Sequence, residues 1–354
     1  MSAYTTLDNY QIPHDLFIEY IRVYRYIGQN KEFLRQLEEQ NNILINKNIE
    51  VDTYYLTKYL LKMNLTESRL QLLINKNSLP RSVNEKRVVT IKKMVEKMYV
   101  GAYDNNLPIN SSDILDLLKG FTGKNIKFVT EDFRLQGPNK KSVRYVFNNL
   151  LDELDLFSKQ EKYESIFLSC IAVMETYNMK PYSECNNLAT YILYFYMLLK
   201  SQVLAFKYVS FFSIFEQYQK EFDAEIARGS VNYDQGTIFF TGLVRLTLKI
   251  ILEAYSELLK IINTKTLQRR ARKSDYIKKT IMEDLPTIFS KEDVSNLYPD
   301  VSLSTIVRVL NELKEKKYII PLGKGRSAHW QKIVTPDSFE YLIGSDKNDN
   351  ENNN

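Results

Sequence analysis

The stretch Tyr163–Lys200, YESIFLSCIAVMETYNMKPYSECNNLATYILYFYMLLK, contains two long apolar runs separated by a polar connector. The apolar runs have the length and spacing of buried helices, so we predict helices over Tyr163–Tyr177 and Ala189–Lys200. The connector Asn178–Asn187 is rich in Asn, Pro, Ser and Glu, as interhelical loops are. The pattern favours an all-α fold built around this helix pair.

Composition limits the classes of protein to which the chain can belong. Its 354 residues include 44% hydrophobic residues but only 11 Gly and 9 Pro, which favours two or three globular units with long regular elements. Cys170 and Cys185 have no CxxC spacing, so neither a disulfide framework nor a cysteine zinc site is expected. The two histidines, His14 and His329, lie near opposite ends. A mechanism that needs a central histidine is therefore excluded.

No segment of the sequence suggests a membrane protein. The longest apolar run, Tyr191–Leu199, is shorter than the roughly 20 residues that span a bilayer. The N-terminus lacks a basic stretch followed by an apolar run, so no secretory signal is expected. We expect a cytoplasmic protein without membrane contact.

Helix start and stop signals organise the first 120 residues. Asp52 is predicted to be the N-cap of a helix that runs to Leu73. Ser82 and Glu85 have the spacing of a capping box and open the next helix. Ser111 or Ser112 is expected to cap a short helix that Gly120 ends. The aromatic stripes further along, which include Phe195 and Phe211–Phe215, are predicted to lie in the core.

The C-terminal segment differs from the rest in charge. Residues 265–332 contain fifteen Lys or Arg against eight Asp or Glu, a net +7, whereas the whole chain carries +5. A basic run from Arg269 to Lys279 leads into three short helices and a hairpin with a Gly323–Gly325 turn. The third helix starts at Ser302 and has apolar residues at helical spacing on one face. This pattern resembles a winged helix-turn-helix with a small β-wing.

Winged helices read DNA through the outer face of the third helix and through basic wing residues. The DNA-binding candidates are accordingly Ser304, Thr305, Arg308, Asn311, Lys324 and Arg326. Glu312 and Glu315 would repel phosphate, and winged helices also serve as protein-contact or dimerisation modules. DNA, a protein partner and self-association therefore all remain open as partners.

The connector resembles the active loop of the Fic (Fido) family, HPFxxGNGRxxR, over Lys180–Tyr191 without a gap. Pro181, Glu184 and Asn186 match the motif, and Tyr182 is an aromatic substitute. Lys180 replaces the catalytic histidine, Cys185 and Asn187 replace the two glycines, and Leu188 and Tyr191 replace the two arginines. The resemblance extends over about residues 31–332. It implies a Fic-like helical core, whose active members transfer AMP from ATP to protein hydroxyls.

The substitutions remove the groups on which that chemistry depends. An ordinary lysine is protonated at neutral pH and cannot accept the hydroxyl proton, a step worth about 10²- to 10⁴-fold. Cys185 is expected to adopt a left-handed conformation poorly, which weakens the phosphate cradle at the helix start. Leu188 and Tyr191 offer no cation for phosphate. Glu184, which holds magnesium in the family, is the one matching acid.

Two further segments resemble family features. Phe133 and Arg134 match a Phe-Arg pair before the target-docking flap, which would here be short, from Leu135 to Lys141. Leu65–Leu72 is similar to the inhibitory helix, in which Ser68 is a motif position and Gln71 replaces the inhibitory glutamate. That glutamate pairs with the loop's second arginine. Because Tyr191 replaces this arginine, both halves of the switch are predicted to be lost.

These observations predict four segments. They are an N-terminal helical layer over residues 1–81, a Fic-like core over 82–264, a winged helix over 265–335 and a disordered tail over 336–354. The favoured function is a regulator without AMP transfer and without a cofactor, which binds DNA or a DNA-associated partner. An adenylyltransferase that uses ATP and magnesium, with metal at Glu184, is one alternative. A scaffold that dimerises through the winged helix is the other.

Overall fold

A computed structural model of the protein describes residues 3–103, 109–133, 141–201, 203–298, 301–323 and 329–333. The side chains of residues 102, 103, 133 and 265–272 lie outside this description. The chain divides into two compact units, Met1–Ile262 and Asn263–Asn354. The predicted tail lies outside the described residues. The all-α fold class is confirmed, because strands are few and short.

The first unit consists of helices and one short hairpin. Its elements in chain order are α1 (His14–Ile27), α2 (Asn30–Leu37), α3 (Asn41–Tyr55), α4 (Glu67–Asn75), α5 (Val83–Tyr103), α6 (Ser111–Thr122), β1 (Asp132–Phe133), β2 (Lys141–Ser142), α7 (Val143–Lys159), α8 (Ser165–Met179), α9 (Asn186–Lys200) and α10 (Phe211–Gly229). Helix α11 (Thr241–Glu283) runs across the boundary between the units. No helix among the described residues is both long enough and apolar enough to span a bilayer.

Helices α8 and α9 form the centre of this unit, as their apolar sequences predict. They pack against each other, with α7 against α8 and with α5 and α6 against α9. The aromatic stripes are buried as predicted. Phe195 stacks on Phe211 with ring centroids 4.8 Å apart, and Phe211 stacks on Phe215 at 5.1 Å. The aromatic stripes are therefore core, and they fix the position of α9 against α10.

Two helix boundaries differ from the prediction because other residues supply the caps. Asn110, not Ser111 or Ser112, is the N-cap of α6, and its side chain accepts a hydrogen bond from the Asp113 N–H at 2.8 Å. The helix ends at Gly123, which has φ 67°, so Gly120 lies inside it. Ser82 does cap α5 through the Glu85 N–H. The Glu85 carboxylate, however, binds Arg69 and the N–H of Arg81.

The prediction that Asp52 is the N-cap of a helix running to Leu73 is wrong. Asp52 lies fully buried inside α3 and does not start a helix. Its carboxylate instead accepts hydrogen bonds at the start of α10, from the Ser210 hydroxyl at 2.6 Å and the Phe212 N–H at 2.9 Å. The Tyr99 hydroxyl donates to its other oxygen at 2.6 Å. Asp52 therefore caps a helix about 160 residues away, a role that local sequence does not reveal.

The second unit combines the end of α11 with α12 (Lys291–Leu297) and α13 (Leu303–Glu315). Strands β3 (Ile288–Ser290), β4 (Ile319–Pro321) and β5 (His329–Lys332) form an antiparallel sheet in the order β3-β5-β4. The two hairpin strands were predicted, but β3 was not. A separate hydrophobic core lies under α13, built from Ile277, Ile281, Phe289, Ile306, Val309, Leu310 and Leu313.

Candidate functional site

The connector between α8 and α9 is held to the neighbouring segment 127–129 by main-chain contacts. The Val129 N–H donates to the Pro181 carbonyl at 3.0 Å, and the Ser183 N–H donates to the Lys127 carbonyl at 2.8 Å. Phe128 and Tyr182 form an antiparallel bridge between these two hydrogen bonds. The first half of the loop therefore has a fixed backbone, although it belongs to no regular sheet.

Tyr182 anchors the loop in the core. Its side chain is 1% exposed, and its hydroxyl donates to the Ser111 carbonyl at 2.8 Å. The ring packs against Phe128 and Phe147, with centroids 5.3 and 6.0 Å away. Burial raises the pKa of Tyr182, so the phenol stays neutral and acts as a hydrogen-bond donor. Tyr182 thus fixes the loop in place and offers no reactive group at the surface.

The side-chain amide of Asn186 closes the loop. Its Oδ1 accepts from the Tyr182 N–H at 3.0 Å, and its Nδ2 donates to the Tyr182 carbonyl at 2.7 Å. This pair of bonds satisfies both polar main-chain groups of a buried residue. The Asn186 match to the family motif therefore has a structural role in this chain.

Left-handed residues stand at both ends of the loop. Lys180 ends α8 with φ 47°, and Cys185 precedes α9 with φ 61°. The expectation that Cys185 adopts this conformation poorly is thus wrong. The loop closure by Asn186 imposes it at a cost of about 1–2 kcal/mol. Asn187, in contrast, lies within the helix.

The start of α9 has uncapped N–H groups. Cys185 makes no side-chain capping bond, and no described group accepts from the N–H groups of Asn186, Asn187 or Leu188. Such groups favour anions. The side chains of Lys180 and Asn187 are exposed beside them. This part of the loop retains the backbone features of an anion site.

Glu184, the one acid that matches the family motif, is paired with a lysine. The Lys124 ammonium lies 2.5 Å from a Glu184 carboxylate oxygen, and both side chains are exposed. The hydrogen bond to Glu184 raises the pKa of Lys124, so the ammonium stays charged. A protein cation therefore pairs with the carboxylate to which the resemblance assigns magnesium. Among the described residues no cluster of three acids, histidines or cysteines could hold a metal ion.

Leu188 and Tyr191 belong to the core, although the family carries arginines at these positions. Both side chains are buried. The Tyr191 hydroxyl donates to Asp223 at 2.6 Å, and its ring packs edge-on against Phe215 and Phe222. Burial raises the pKa of both Tyr191 and Asp223, and their hydrogen bond raises that of Tyr191 further. Neither side chain is directed to the loop as a cation would need to be.

Ser68 and Gln71 lie exposed on α4. Neither side chain makes a hydrogen bond to a described residue. The opposite face of α4 packs through Leu70, Leu73 and Ile74 onto Val88 of α5. Arg134 and the flap residues 135–140 lie outside the described residues, as does the Phe133 side chain. The predicted loss of both halves of the inhibitory switch remains a prediction.

The DNA-binding candidates on α13 share one outer face. Ser304, Arg308 and Asn311 are exposed at helical spacing, and Thr305 is half-buried. The Ser302 hydroxyl caps the helix and contacts the hydroxyls of Ser304 and Thr305 at 2.9 Å. Lys324 and Arg326 lie outside the described part of the chain.

The negative charge of one acid on α13 is balanced by a neighbouring lysine. Glu312 pairs with Lys278 at 2.8 Å and lies 3.8 Å from Arg308. The repulsion of phosphate that the sequence suggested for this residue is therefore reduced, while Arg308 stays exposed.

Several residues of the site could not be found from the sequence. Lys124 precedes Glu184 by 60 residues and Asp223 follows Tyr191 by 32, so no local spacing links either pair. The segment 127–129, which frames the loop, lies more than 50 residues before it in the sequence. For Tyr191, the available signal in the sequence was that an uncharged residue replaces the second arginine of the family motif.

Comparison with known proteins gives weak similarity to one family. No protein-family model matches the sequence, and no curated protein matches it. A Fic family protein from Desulfovibrio desulfuricans is similar in structure, with 14% identity, a TM-score of 0.48, and coverage of 92% of this chain and 98% of that chain.

Two further solved structures are similar. A Fic domain-containing signaling protein from Bacteroides thetaiotaomicron has 13% identity and a TM-score of 0.42, over 71% of this chain and 96% of that one. A fragment of Fic-1 from C. elegans has 12% identity and a TM-score of 0.42, over 66% of this chain and 72% of that one. Similarity at this level carries no functional assignment.

Proposed function

We propose that this chain is a Fic-family protein that has lost AMP transfer and acts as a regulator through its second unit. The observation that carries the proposal is the Lys124–Glu184 pair at 2.5 Å. In the family the corresponding acid holds magnesium, and here a protein ammonium is bound to it. The donor set does not fit a metal-bound nucleotide, so no reaction step is assigned to one.

The two positions at which the family carries phosphate-binding arginines support the same conclusion. Arginine binds phosphate oxygens through two parallel hydrogen bonds, a geometry that Leu188 and Tyr191 cannot provide. Both side chains are packed in the core, and Tyr191 is committed to Asp223. Losing one such electrostatic contact typically costs about 10²- to 10³-fold in rate. The uncapped N–H groups at the start of α9 remain, but positions 188 and 191 offer no arginine to bind phosphate oxygens.

The second unit is proposed to be a winged helix that binds duplex DNA, or a partner associated with DNA. Ser304, Arg308 and Asn311 form an exposed face on α13, and the Glu312 charge is balanced by Lys278. Residues 265–332 carry a net +7. Exposed arginine and small polar residues on one helix face suit base edges, and the surplus of lysine and arginine suits phosphates.

A fluorescence anisotropy titration on random-sequence duplex DNA tests this role. We expect binding by the full chain, with affinity falling on the order of 10²-fold between 50 and 200 mM salt. Arg308→Ala should weaken it by about tenfold. The matched control is Arg228→Ala, which removes an exposed arginine from α10 in the first unit. Binding that is absent, or equally reduced by both substitutions, would exclude this DNA-binding face.

A second candidate is an adenylyltransferase with an altered loop. It is favoured by the uncapped N–H groups at Asn186, Asn187 and Leu188 and by the exposed Lys180 beside them, which could act as a phosphate cation. In this case Glu184 would exchange Lys124 for magnesium. The two candidates differ in whether the chain binds magnesium-ATP.

A further inference from the structure

Helix α1 of the N-terminal layer has an apolar outer face. Its inner face buries Leu16 and Val23 in the core, as an amphipathic helix should. On the outside, however, Phe17 is 44% exposed, Ile18 43% and Ile21 37%. Three large apolar side chains this close together are unusual on a monomer surface and mark a contact site.

Opposite charges flank this apolar patch. Asp15 and Arg22 are exposed and lie seven residues apart, which is two helical turns along the same side of α1. Arg22 makes no hydrogen bond or ion pair with any described residue. Asp15 binds Arg245 through one oxygen at 2.5 Å, and its side chain is still 62% exposed. The patch is therefore bordered at one end by a partly exposed anion that Arg245 also binds, and at the other by a cation without a described partner.

This arrangement is complementary to itself. Consider an antiparallel copy of α1 related by a two-fold axis between Ile18 and Glu19. Asp15 of one copy then faces Arg22 of the other, and Phe17 faces Ile21, each contact occurring twice. The two Ile18 side chains meet at the axis. A parallel copy would instead bring like charges together.

We propose that α1 is a dimerisation surface whose partner is the α1 helix of a second copy of this chain. About this axis residues 14–23 of the two helices overlap, so the contact is about 15 Å long. An interface of this length buries on the order of 1,000 Å² or less, which is typical of weak, reversible association. The dimer therefore forms at high protein concentration and dissociates on dilution.

Sedimentation equilibrium of the full chain over roughly 10–500 µM tests the proposal. A monomer–dimer equilibrium is expected. Ile18→Glu places two carboxylates at the axis and should raise the dissociation constant by about 30-fold or more. Arg22→Glu faces Asp15 of the partner and should raise it by about tenfold.

Two matched substitutions serve as controls. Arg228→Glu makes the same charge change on α10, and Ile43→Glu changes an exposed isoleucine of α3. Both should leave the dissociation constant within about threefold of the unsubstituted chain. A chain that stays monomeric over the whole range overturns the proposal. So does a dimer that Ile18→Glu does not weaken, because its interface then lies elsewhere, for instance on the second unit.

Discussion

Relative to the unsubstituted chain, Asp52→Asn should be about 3 kcal/mol more stable at about pH 8 than at about pH 4. Burial raises the pKa of Asp52 from 3.8 to about 6, although bonds from Ser210, Tyr99 and Phe212 favour the charged form. The folded state therefore binds a proton more tightly than the unfolded state. Proton binding to Asp52 therefore contributes its full stabilisation of the unsubstituted chain below about pH 4, and this contribution is lost as the pH rises through about 6.

Asparagine keeps an acceptor for Ser210 and Phe212, but one of its two N–H donors has no described acceptor, which costs about 1–3 kcal/mol at either pH. Its oxygen accepts from Ser210 and Phe212, and its NH₂ group donates to the Tyr99 oxygen. The Tyr99 hydroxyl then donates to the Phe206 carbonyl, which lies 3.2 Å away. Alanine has no side-chain group that could make these hydrogen bonds. Asp52→Ala leaves two buried donors at the start of α10 without an acceptor, at a cost of about 1–3 kcal/mol each.

Urea unfolding followed by circular dichroism at several pH values measures these effects. Circular dichroism is needed because Trp330, the single tryptophan, lies in the second unit. The difference between Asp52→Asn and the unsubstituted chain isolates Asp52 from the other titrating groups. If both proteins lose stability equally as pH rises from 4 to 8, Asp52 is not the responsible group.

Replacing Tyr182 by alanine should lower the free energy of unfolding by about 3–5 kcal/mol, because it removes a fully buried aromatic ring. Tyr182→Phe is the matched control. It keeps the ring between Phe128 and Phe147 and loses only the bond to the Ser111 carbonyl, at a cost of about 1 kcal/mol. Thermal unfolding by circular dichroism compares the two. Equal losses for the two variants would mean that the ring does not hold the loop in the core.

The centre of the helical core could be predicted from the sequence because α8 and α9 are apolar on nearly all sides. Buried helices need no polar face, so the two apolar runs that form α8 and α9 could be assigned as buried helices. Helices α8 and α9 start and end within three residues of the predicted bounds, whereas the helix predicted from Asp52 to Leu73 is interrupted between α3 and α4. The long-range contacts could not be predicted in the same way. Asp52 has the residue type of an N-cap, but the helix that it caps lies far along the chain.

The loop could be located from its residues, but its conformation could not. Propensity disfavours a left-handed Cys185, whereas the observed bonds between Asn186 and Tyr182 require it. Tertiary contacts outweigh a local cost of about 1–2 kcal/mol. The pairing of Glu184 with Lys124 likewise depends on the packing of a distant segment beside the loop. The resemblance predicts which groups the loop lacks, and the structure describes the contacts of the residues at those positions.

Isothermal titration calorimetry of the full chain with magnesium-ATP tests the central claim most directly. With Lys124 bound to Glu184 and no arginine at positions 188 and 191, we predict no saturable heat up to millimolar ATP. Lys124→Met, which frees the carboxylate but adds no phosphate clamp, should behave in the same way. Saturable, magnesium-dependent binding by the unsubstituted chain would contradict the account, because the loop would then still hold a nucleotide.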